Sequence, residues 1–431
     1  MRRLTLGIEA LAEQAELVGT TIARAAEPAI GEAGARALAR AGEEVFAQAA
    51  ERVPGTEVRF VLEARAHVVV LDIAFDDAGF DPAAFNLARG IDLSRGLDLT
   101  MDDLPGLPLL IASRSVDRFD LSLEAGAPVR IRLEKDRLYP PLPPLPQAAR
   151  AAAGPVRVGR GDAAELRHLV RLLATLMPEA RLPPLLRHAD HLADIVAAGG
   201  ASGVVATAAD GRIAGGLLWQ VGEGKIARLH GPYVLQTGPT GEVATALLEA
   251  CLGEFARART TTGLFLLTGE DPPEGWFETL GTLAAGAGWP DRQALFRSLD
   301  EDTGAVIWSH PALDDFMVDT LERLALARDL RHVGAPPAGA SVLAVAFDRV
   351  AGSATLRPVL AGADAAENVA AHCALLADDE AEVLIAELDL GRPLDAVFIP
   401  GLLAAGFEPR FVVPAARRGD LLVMQRDARP R

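Results

Sequence analysis

The sequence is poor in the groups from which many sites are built. It has two cysteines in 431 residues, Cys251 and Cys373. Each lies inside an amphipathic helical pattern, which excludes a disulfide framework and predicts buried thiols in a reducing cytoplasm. Eight histidines are scattered along the chain. His188 and His191 are close together, but no cysteine or second histidine motif completes a zinc site. No run of about 18 uncharged apolar residues occurs, so no transmembrane helix is expected, although half the residues are hydrophobic. The start, MRRLTLGIEALAEQ, has a basic tip but no apolar stretch, because Glu9 and Glu13 interrupt it; this argues against a secretory signal. Positive charge is also scarce: 42 Lys and Arg stand against 59 Asp and Glu, a net charge of −17. That balance argues against nucleic acid as a direct partner. The expectation is a cytoplasmic protein that engages neither nucleic acid nor membrane.

What is present alternates between strand and helix patterns, which places the chain in the α/β to α+β class. At roughly 150 residues per domain the length suits about three domains. Residues 1–52 read as helical and Ala-rich, broken near Pro28 and Gly31. Strand-like runs EVRFVLEA and HVVVLDIAF follow, then a short helix in LPGLPLLIASRSVD and two strands in FDLSLEAGAPVRIRLEK. YPPLPPLP, with the Ala-rich stretch after it, reads as an extended, stiff spacer. The boundaries expected are 1–138, a linker at 139–154, 155–300 and 301–431.

The chain is organised around residues 203–281. There a hairpin turn at Asp210-Gly211 is followed by strands, a loop and a helix. Val243, Leu247, Leu248, Cys251, Leu252 and Phe255 fall on one face of that helix at the 3.6-residue period. This order resembles the GNAT acyltransferase family. In that family a Gln/Arg-x-x-Gly-x-Gly/Ala loop cradles the pyrophosphate of acetyl-CoA at a helix N-terminus, where backbone N–H groups and the helix dipole favour anions. Here the loop reads Gln236-Thr237-Gly238-Pro239-Thr240-Gly241-Glu242. Pro239 stands at the middle glycine and has no N–H to give, and Glu242 adds negative charge. The resemblance implies acetyl-CoA as cofactor, held by Val234, Leu235, Gln236, Gly238 and Gly241. Phe277-Glu278-Thr279-Leu280-Gly281 matches the family's closing helix, but Phe277 occupies a position where many members have a tyrosine acid, and phenylalanine has no proton to donate. Tyr233 and Glu223 remain as candidate catalytic groups, with Glu270 a further carboxylate near the expected cleft.

Residues 8–135 resemble the ATP-binding domain of the GHKL family, in particular the anti-sigma-factor serine kinases. Three boxes carry the resemblance. The helix Glu43-Glu44-Val45-Phe46-Ala47-Gln48 keeps the carboxylates but has Gln48 for the metal-holding Asn. Asp76-Asp77-Ala78-Gly79-Phe80-Asp81-Pro82 stands for Asp-x-Gly-x-Gly, and Gly106-Leu107-Pro108-Leu109 for the lid. The resemblance implies Glu44, Gln48, Asp77, Gly79 and Gly106 as nucleotide ligands. Each box is altered, so binding of ATP with magnesium is not expected. The tail from residue 301 repeats the strand and helix order of the later part of a GNAT module without sequence repetition, and its loop Leu360-Ala361-Gly362-Ala363-Asp364 has no phosphate pattern. The fold expected is an N-terminal GHKL-like (Bergerat) α/β sandwich followed by two GNAT-like modules with mixed sheets. The function expected is regulatory binding with a protein partner; the alternative is an acetyl-CoA-dependent N-acyltransferase regulated by its N-terminal domain.

Overall fold

The computed structural model describes residues 2–77, 79–86, 107–123, 127–143, 145, 154–222, 224–237, 240–269, 273–285, 291–378 and 381–427. The first segment corrects the sequence reading. Arg2–Glu9 is a strand, β1, not the start of a helix. Leu4, Leu6 and Ile8 alternate with other residues at a period of two, which suits a strand. The strand pairs antiparallel with β2 (Glu57–Ala64) from Arg2↔Ala64 to Glu9↔Glu57. Helix α1 (Ala15–Arg52) is interrupted at Gly31, whose φ of 74° and ψ of 169° split it into two helical segments. Only glycine takes that backbone geometry without strain. Strands β3 (Val68–Phe75), β4 (Arg118–Ser122) and β5 (Val129–Asp136) complete an antiparallel sheet of order β1-β2-β3-β5-β4. Helix α2 (Leu107–Ser115) packs on α1. Val18, Ile22, Leu38, Phe46, Leu71 and Ile131 are buried between helices and sheet.

The central module comprises β6 (Val156–Arg160), α3 (Ala163–Leu176), α4 (Ala189–Ala197), β7 (Ser202–Ala208), β8 (Ile213–Val221), β9 (Ile226–Val234), α5 (Gly241–Ala258), β10 (Gly263–Thr268), β11 (Glu278–Leu283) and β12 (Arg292–Ser298). Helix α3 starts with a capping box, the Asp162 side chain accepting from the Glu165 N–H and Glu165 reaching back to the Asp162 N–H. That arrangement satisfies two otherwise orphaned donors. The hairpin turn lies at Gly211, as the sequence requires, with φ at 81°. The seven strands run β11-β12-β10-β9-β8-β7-β6. Helix α5 covers one face through Val243, Leu247, Leu248, Cys251 and Phe255. Helices α3 and α4 cover the other through Leu166, Leu169, Leu173 and Leu192.

A second correction falls on the expected closing helix. Residues 278–281 lie in strand β11, paired antiparallel with β12. Thr279 and Thr282 are β-branched, and pairing with β12 satisfies the backbone that a one-turn helix would leave open. Phe277 sits just before the strand, half-buried against the α5 core.

The C-terminal module opens with a small parallel pair of strands joined by a helix. Strand β13 (Ala305–Ser309), helix α6 (Asp314–Arg323) and strand β14 (Arg328–His332) form a two-stranded parallel unit. Then come β15 (Val342–Asp348), β16 (Ser353–Leu360), α7 (Ala365–Asp378), β17 (Val383–Asp389), α8 (Ile399–Ala404), β18 (Glu408–Val413) and β19 (Leu421–Asp427). Their sheet order, β15-β16-β17-β19-β18, reproduces the β8-β9-β10-β12-β11 half of the central sheet.

The units are held together by buried contacts. Ile226, Phe265, Leu280 and Phe296 share a core with Val383, Ile385, Phe411 and Val423. The fully buried Gln425 amide donates to the Ala284 carbonyl (2.7 Å) and accepts from its N–H (2.9 Å). Arg187 makes a bidentate pair with Asp348 at 2.7 and 2.8 Å. Asn86 joins the N-terminal unit to β15 and α7.

Candidate functional site

Strands β9 and β10 run parallel, but they pair only from Ile226↔Gly263 to Leu229↔Leu266. Beyond that point they part. Strand β9 continues to Val234 on β8 alone, and β10 continues to Thr268 on β12 alone. Two neighbouring strands that diverge leave a cleft with backbone groups on both walls. At the end of β9 the chain turns into α5, whose N-cap Thr240 makes no side-chain capping bond. The Thr240 side chain therefore does not cap the N–H groups of the first turn, which point out of the helix at its positive end. Gly241, the first helical residue, has open space where a Cβ would stand.

The candidate cofactor residues divide in this frame. Gly241 lies at the open helix end. The N–H groups of Leu235 and Gln236 both donate to the Ala214 carbonyl, at 2.7 and 3.1 Å, so β8 already engages them. Gln236 is buried, and Val234 is half-buried against the α5 core. Gly238 and Pro239 lie outside the described residues, as do Glu223 and Glu270. Tyr233 packs half-buried against the core between the sheet and α3–α4. Glu242 sits in the first turn of α5.

Two groups on β9 escaped the sequence reading. Arg228 and His230 alternate with Ala227 and Leu229, so they project from the face opposite α5. The only signal was charge and an imidazole at alternate positions inside the strand pattern KIARLHGPY. His230 is 8 % exposed, and its Nε2 has no hydrogen-bond partner among the described residues. Burial, with Arg228 close by, pulls its pKa down to about 3, so the ring is neutral at neutral pH.

In the N-terminal unit Glu44, Gln48 and Arg52 follow one another at four-residue spacing on α1, and Arg52 reaches the 77–79 turn. The Arg52 Nε donates to Asp77 Oδ2 at 2.5 Å, and its guanidinium also donates to the Gly79 carbonyl. Gly79 N–H donates to Asp77 Oδ1 at 2.9 Å. The Asp77 side chain is 6 % exposed. Burial pushes its carboxyl up, but the bonds from Arg52 and Gly79 outweigh this and hold it below the ordinary carboxylate range. Asp77, a nucleotide ligand that the resemblance implies, is thus already engaged by an arginine. Burial holds Glu44 above its ordinary value, with Arg40 3.9 Å away opposing the shift. Burial also raises Glu43, with Glu44 and Glu16 adding to the effect. Gly106 lies outside the described residues, and Pro108 is the second residue of α2.

The C-terminal module has the same parting of strands, with β16 and β17 paired only from Ser353↔Val383 to Leu356↔Ala386. Its loop before α7 is closed. A Cβ on Gly362 would meet the backbone of Ala340 and Ser341, and Asp364 Oδ1 accepts from the Ser341 N–H at 2.6 Å. Backbone therefore packs into the loop that leads to α7. Among the described residues no group of three or more His, Cys, Asp and Glu side chains is placed to hold a metal ion. His191 instead stacks on Tyr139 at 5.1 Å, and both cysteines are free and buried. Among the described residues no helix is long and apolar enough to cross a membrane.

No protein-family model matches the sequence, nor does any curated protein. Solved structures do match part of it. An aminoglycoside 6'-acetyltransferase of type Ii is 18 % identical over 34 % of this chain and 98 % of its own, with a TM-score of 0.27. An aminoglycoside 6'-N-acetyltransferase complexed with coenzyme A is 15 % identical over 34 % of this chain and 98 % of its own, at a TM-score of 0.27. A GNAT-family acetyltransferase from Staphylococcus aureus is 12 % identical over 33 % of this chain and 100 % of its own, at a TM-score of 0.25. About a third of the chain is thus similar to acetyltransferases of the GNAT family.

Proposed function

We propose that the central module binds an acyl-coenzyme A-type thioester between β9 and β10, and that the protein acts chiefly by binding. The observation that carries this reading is the parting of β9 from β10 after Leu229, beside the uncapped first turn of α5. A thioester chain lying in that cleft would find free backbone groups along it, and its phosphates would meet the positive end of α5. The first-turn carboxylate of Glu242 opposes an anion there, which weakens binding without abolishing it. Turnover requires a proton for the departing thiolate. Phe277 has none, and His230, with a pKa of about 3, is neutral at neutral pH and its remaining N–H is a very weak acid.

The N-terminal unit is read as a GHKL-type sandwich whose nucleotide pocket has been taken over by the Arg52–Asp77 bridge. Its place in the protein is then that of a docked regulatory unit, held to the C-terminal module through Asn86. An N-acyltransferase is the second reading, favoured by the same cleft.

Calorimetric titration of acetyl-CoA into the full chain tests the proposal. Wild type should bind weakly. Glu242→Gln should tighten binding about two- to fivefold, since a charge at a helix N-terminus is worth about 0.3–1 kcal/mol. Gly241→Glu should weaken it by a similar factor or more. No binding at millimolar ligand, or binding indifferent to both changes, would remove the thioester site from α5. Transfer to an amine at several turnovers per second would replace the binding reading by the transferase reading.

A further inference from the structure

Strand β1 is an outer strand of the N-terminal sheet, and no described strand pairs with its other edge. The opposite side of the sheet differs, since β4 lies against β15 and β16 of the C-terminal module. A free strand edge is a template for further pairing, and proteins usually blunt it with a short strand, a bulge or a proline. Strand β1 has none of these. It runs for eight residues, contains no proline and keeps one register on β2 from end to end. The ladder continues one step further, with the Ala10 N–H donating to the Thr56 carbonyl at 2.8 Å. Residues that exchange such bonds alternate along an antiparallel ladder. Leu4, Leu6 and Ile8 share the parity of Ala10 and turn their backbone groups toward β2. Arg3, Thr5, Gly7 and Glu9 therefore turn theirs outward.

The side chains of β1 form a pattern that complements itself when reversed. Leu4, Leu6 and Ile8 stand opposite the buried Leu62, Phe60 and Val58, on the helix side of the sheet. Helix α1 lies over β2, β3 and β5, so β1 is at the margin of its cover. Leu4 is 37 % exposed, and Leu6 and Ile8 are half-buried. On the other face charge is separated along the strand. Arg3 is near its start, and its exposed guanidinium is 3.7 Å from Glu63. Glu9 is at its end, directly opposite Glu57. Like charges placed so destabilise a sheet. Arg59 pairs with Glu57 at 3.8 Å, and among the described residues no ion pair engages Glu9.

We propose that the outer edge of β1 is a homodimer interface: a second copy of this chain pairs its own β1 antiparallel, about a two-fold axis at Leu6, and the two sheets become one. In this register Leu6 meets the second Leu6, Leu4 meets Ile8, Thr5 meets Gly7 and Arg3 meets Glu9. The backbone groups of Arg3, Thr5, Gly7 and Glu9 then exchange hydrogen bonds across the axis. The leucines and isoleucines close the apolar strip that α1 leaves at its margin. Each Glu9 gains an arginine, which offsets its repulsion by Glu57. Both copies keep their helices on the same side of the joined sheet, so no apolar residue turns to the wrong face. Slipping by two residues either way sets Glu9 opposite Thr5 or past the end of the strand and removes both charge pairs. The interface is independent of the cleft between β9 and β10.

The test is sedimentation equilibrium of the full chain from micromolar to sub-millimolar concentration, where a reversible monomer–dimer equilibrium is expected. Thr5→Pro should abolish the dimer. The Thr5 N–H points outward, so proline there costs β1 no bond to β2 and removes a donor from the new pairing. Arg3→Glu and Glu9→Arg should each weaken association about tenfold, and the two together should restore it. Leu6→Cys should cross-link into a dimer on mild oxidation, because the two Leu6 positions form a non-hydrogen-bonded pair with Cα atoms about 4.5 Å apart. Leu4→Cys, which faces Ile8, should not. The chain's own cysteines are buried and leave this readout clean. A chain that stays monomeric throughout, or a dimer indifferent to Thr5→Pro and to charge reversal, overturns the proposal. Should Thr5→Pro fold poorly, the double charge reversal decides, and its failure to restore the dimer refutes the register.

Discussion

Replacing Asn86 by leucine should release the N-terminal unit from the C-terminal module. Asn86 is 2 % exposed, and its amide makes three bonds to residues more than 250 positions away in the chain. Its Nδ2 donates to the Ser341 carbonyl at 2.7 Å, and its Oδ1 accepts from the Leu343 N–H at 3.0 Å and from Asn368 Nδ2 at 3.1 Å. The Leu343 N–H is free to do this because the register of β15 on β16 shifts between Val342 and Leu343. Leucine matches asparagine in size but has no polar atom. Asn368 and Ser341 keep each other, through Asn368 Nδ2 to Ser341 Oγ at 2.9 Å, whereas the buried Leu343 N–H is orphaned. Three bonds at about 1 kcal/mol each, with the added penalty of about 1–3 kcal/mol for one unsatisfied buried donor, give about 4–6 kcal/mol against docking. That corresponds to an opening equilibrium shifted on the order of 10³–10⁴-fold. Hydrogen exchange reads it directly: the Leu343 amide should exchange at least 100-fold faster, with strand β9 in the central core unchanged. Exchange at Leu343 within a few-fold of wild type would refute the view that Asn86 clamps the two units.

Two more predictions stand on single groups. Asp395 is 3 % exposed and burial pushes its carboxyl up to about 7. Its folded pKa lies above its unfolded value of 3.8, so its contribution to stability is complete at pH below 4 and is lost as pH rises to about 7, on the order of 4 kcal/mol in all. Asp395→Asn should flatten the stability profile over that window in urea unfolding and be the more stable protein at pH 8; an unchanged slope would exclude the buried carboxyl as its source. The N-terminal unit should not bind Mg-ATP at micromolar concentration, because Arg52 engages Asp77. Calorimetry on the full chain decides this, and micromolar binding that disappears in Asp77→Ala would contradict it.

The elements that sequence made legible were those in which one face alone met the core. The apolar stripe of α5 and the Asp210-Gly211 turn lie where the pattern puts them. The misread stretches had competing signals. In MRRLTLGIE the charged tip and the Ala-rich helix behind it masked a period-two pattern that only pairing with β2 makes decisive. In EGWFETLG an aromatic and a glycine at helical spacing outweighed two threonines, and the partner strand β12 reversed the balance. The site was legible only in part. A glycine at the start of α5 can be read from a loop motif, but the capture of the Leu235 and Gln236 N–H groups by Ala214 depends on strand register. Gln425 and Ala284 are 141 positions apart, and nothing local in either segment announces that they pair.

The repeated strand order has a consequence for stoichiometry. Two half-sheets of like topology face each other across a shared apolar core within one polypeptide, so the chain carries its own partner. A symmetric pair of separate subunits would possess two equivalent clefts and would lose them on dilution. Here the first residue of α5, Gly241, is open, while Gly362, three residues before α7, is packed against backbone. Each chain should therefore present a single cleft, and that cleft should persist at any protein concentration at which the chain is folded.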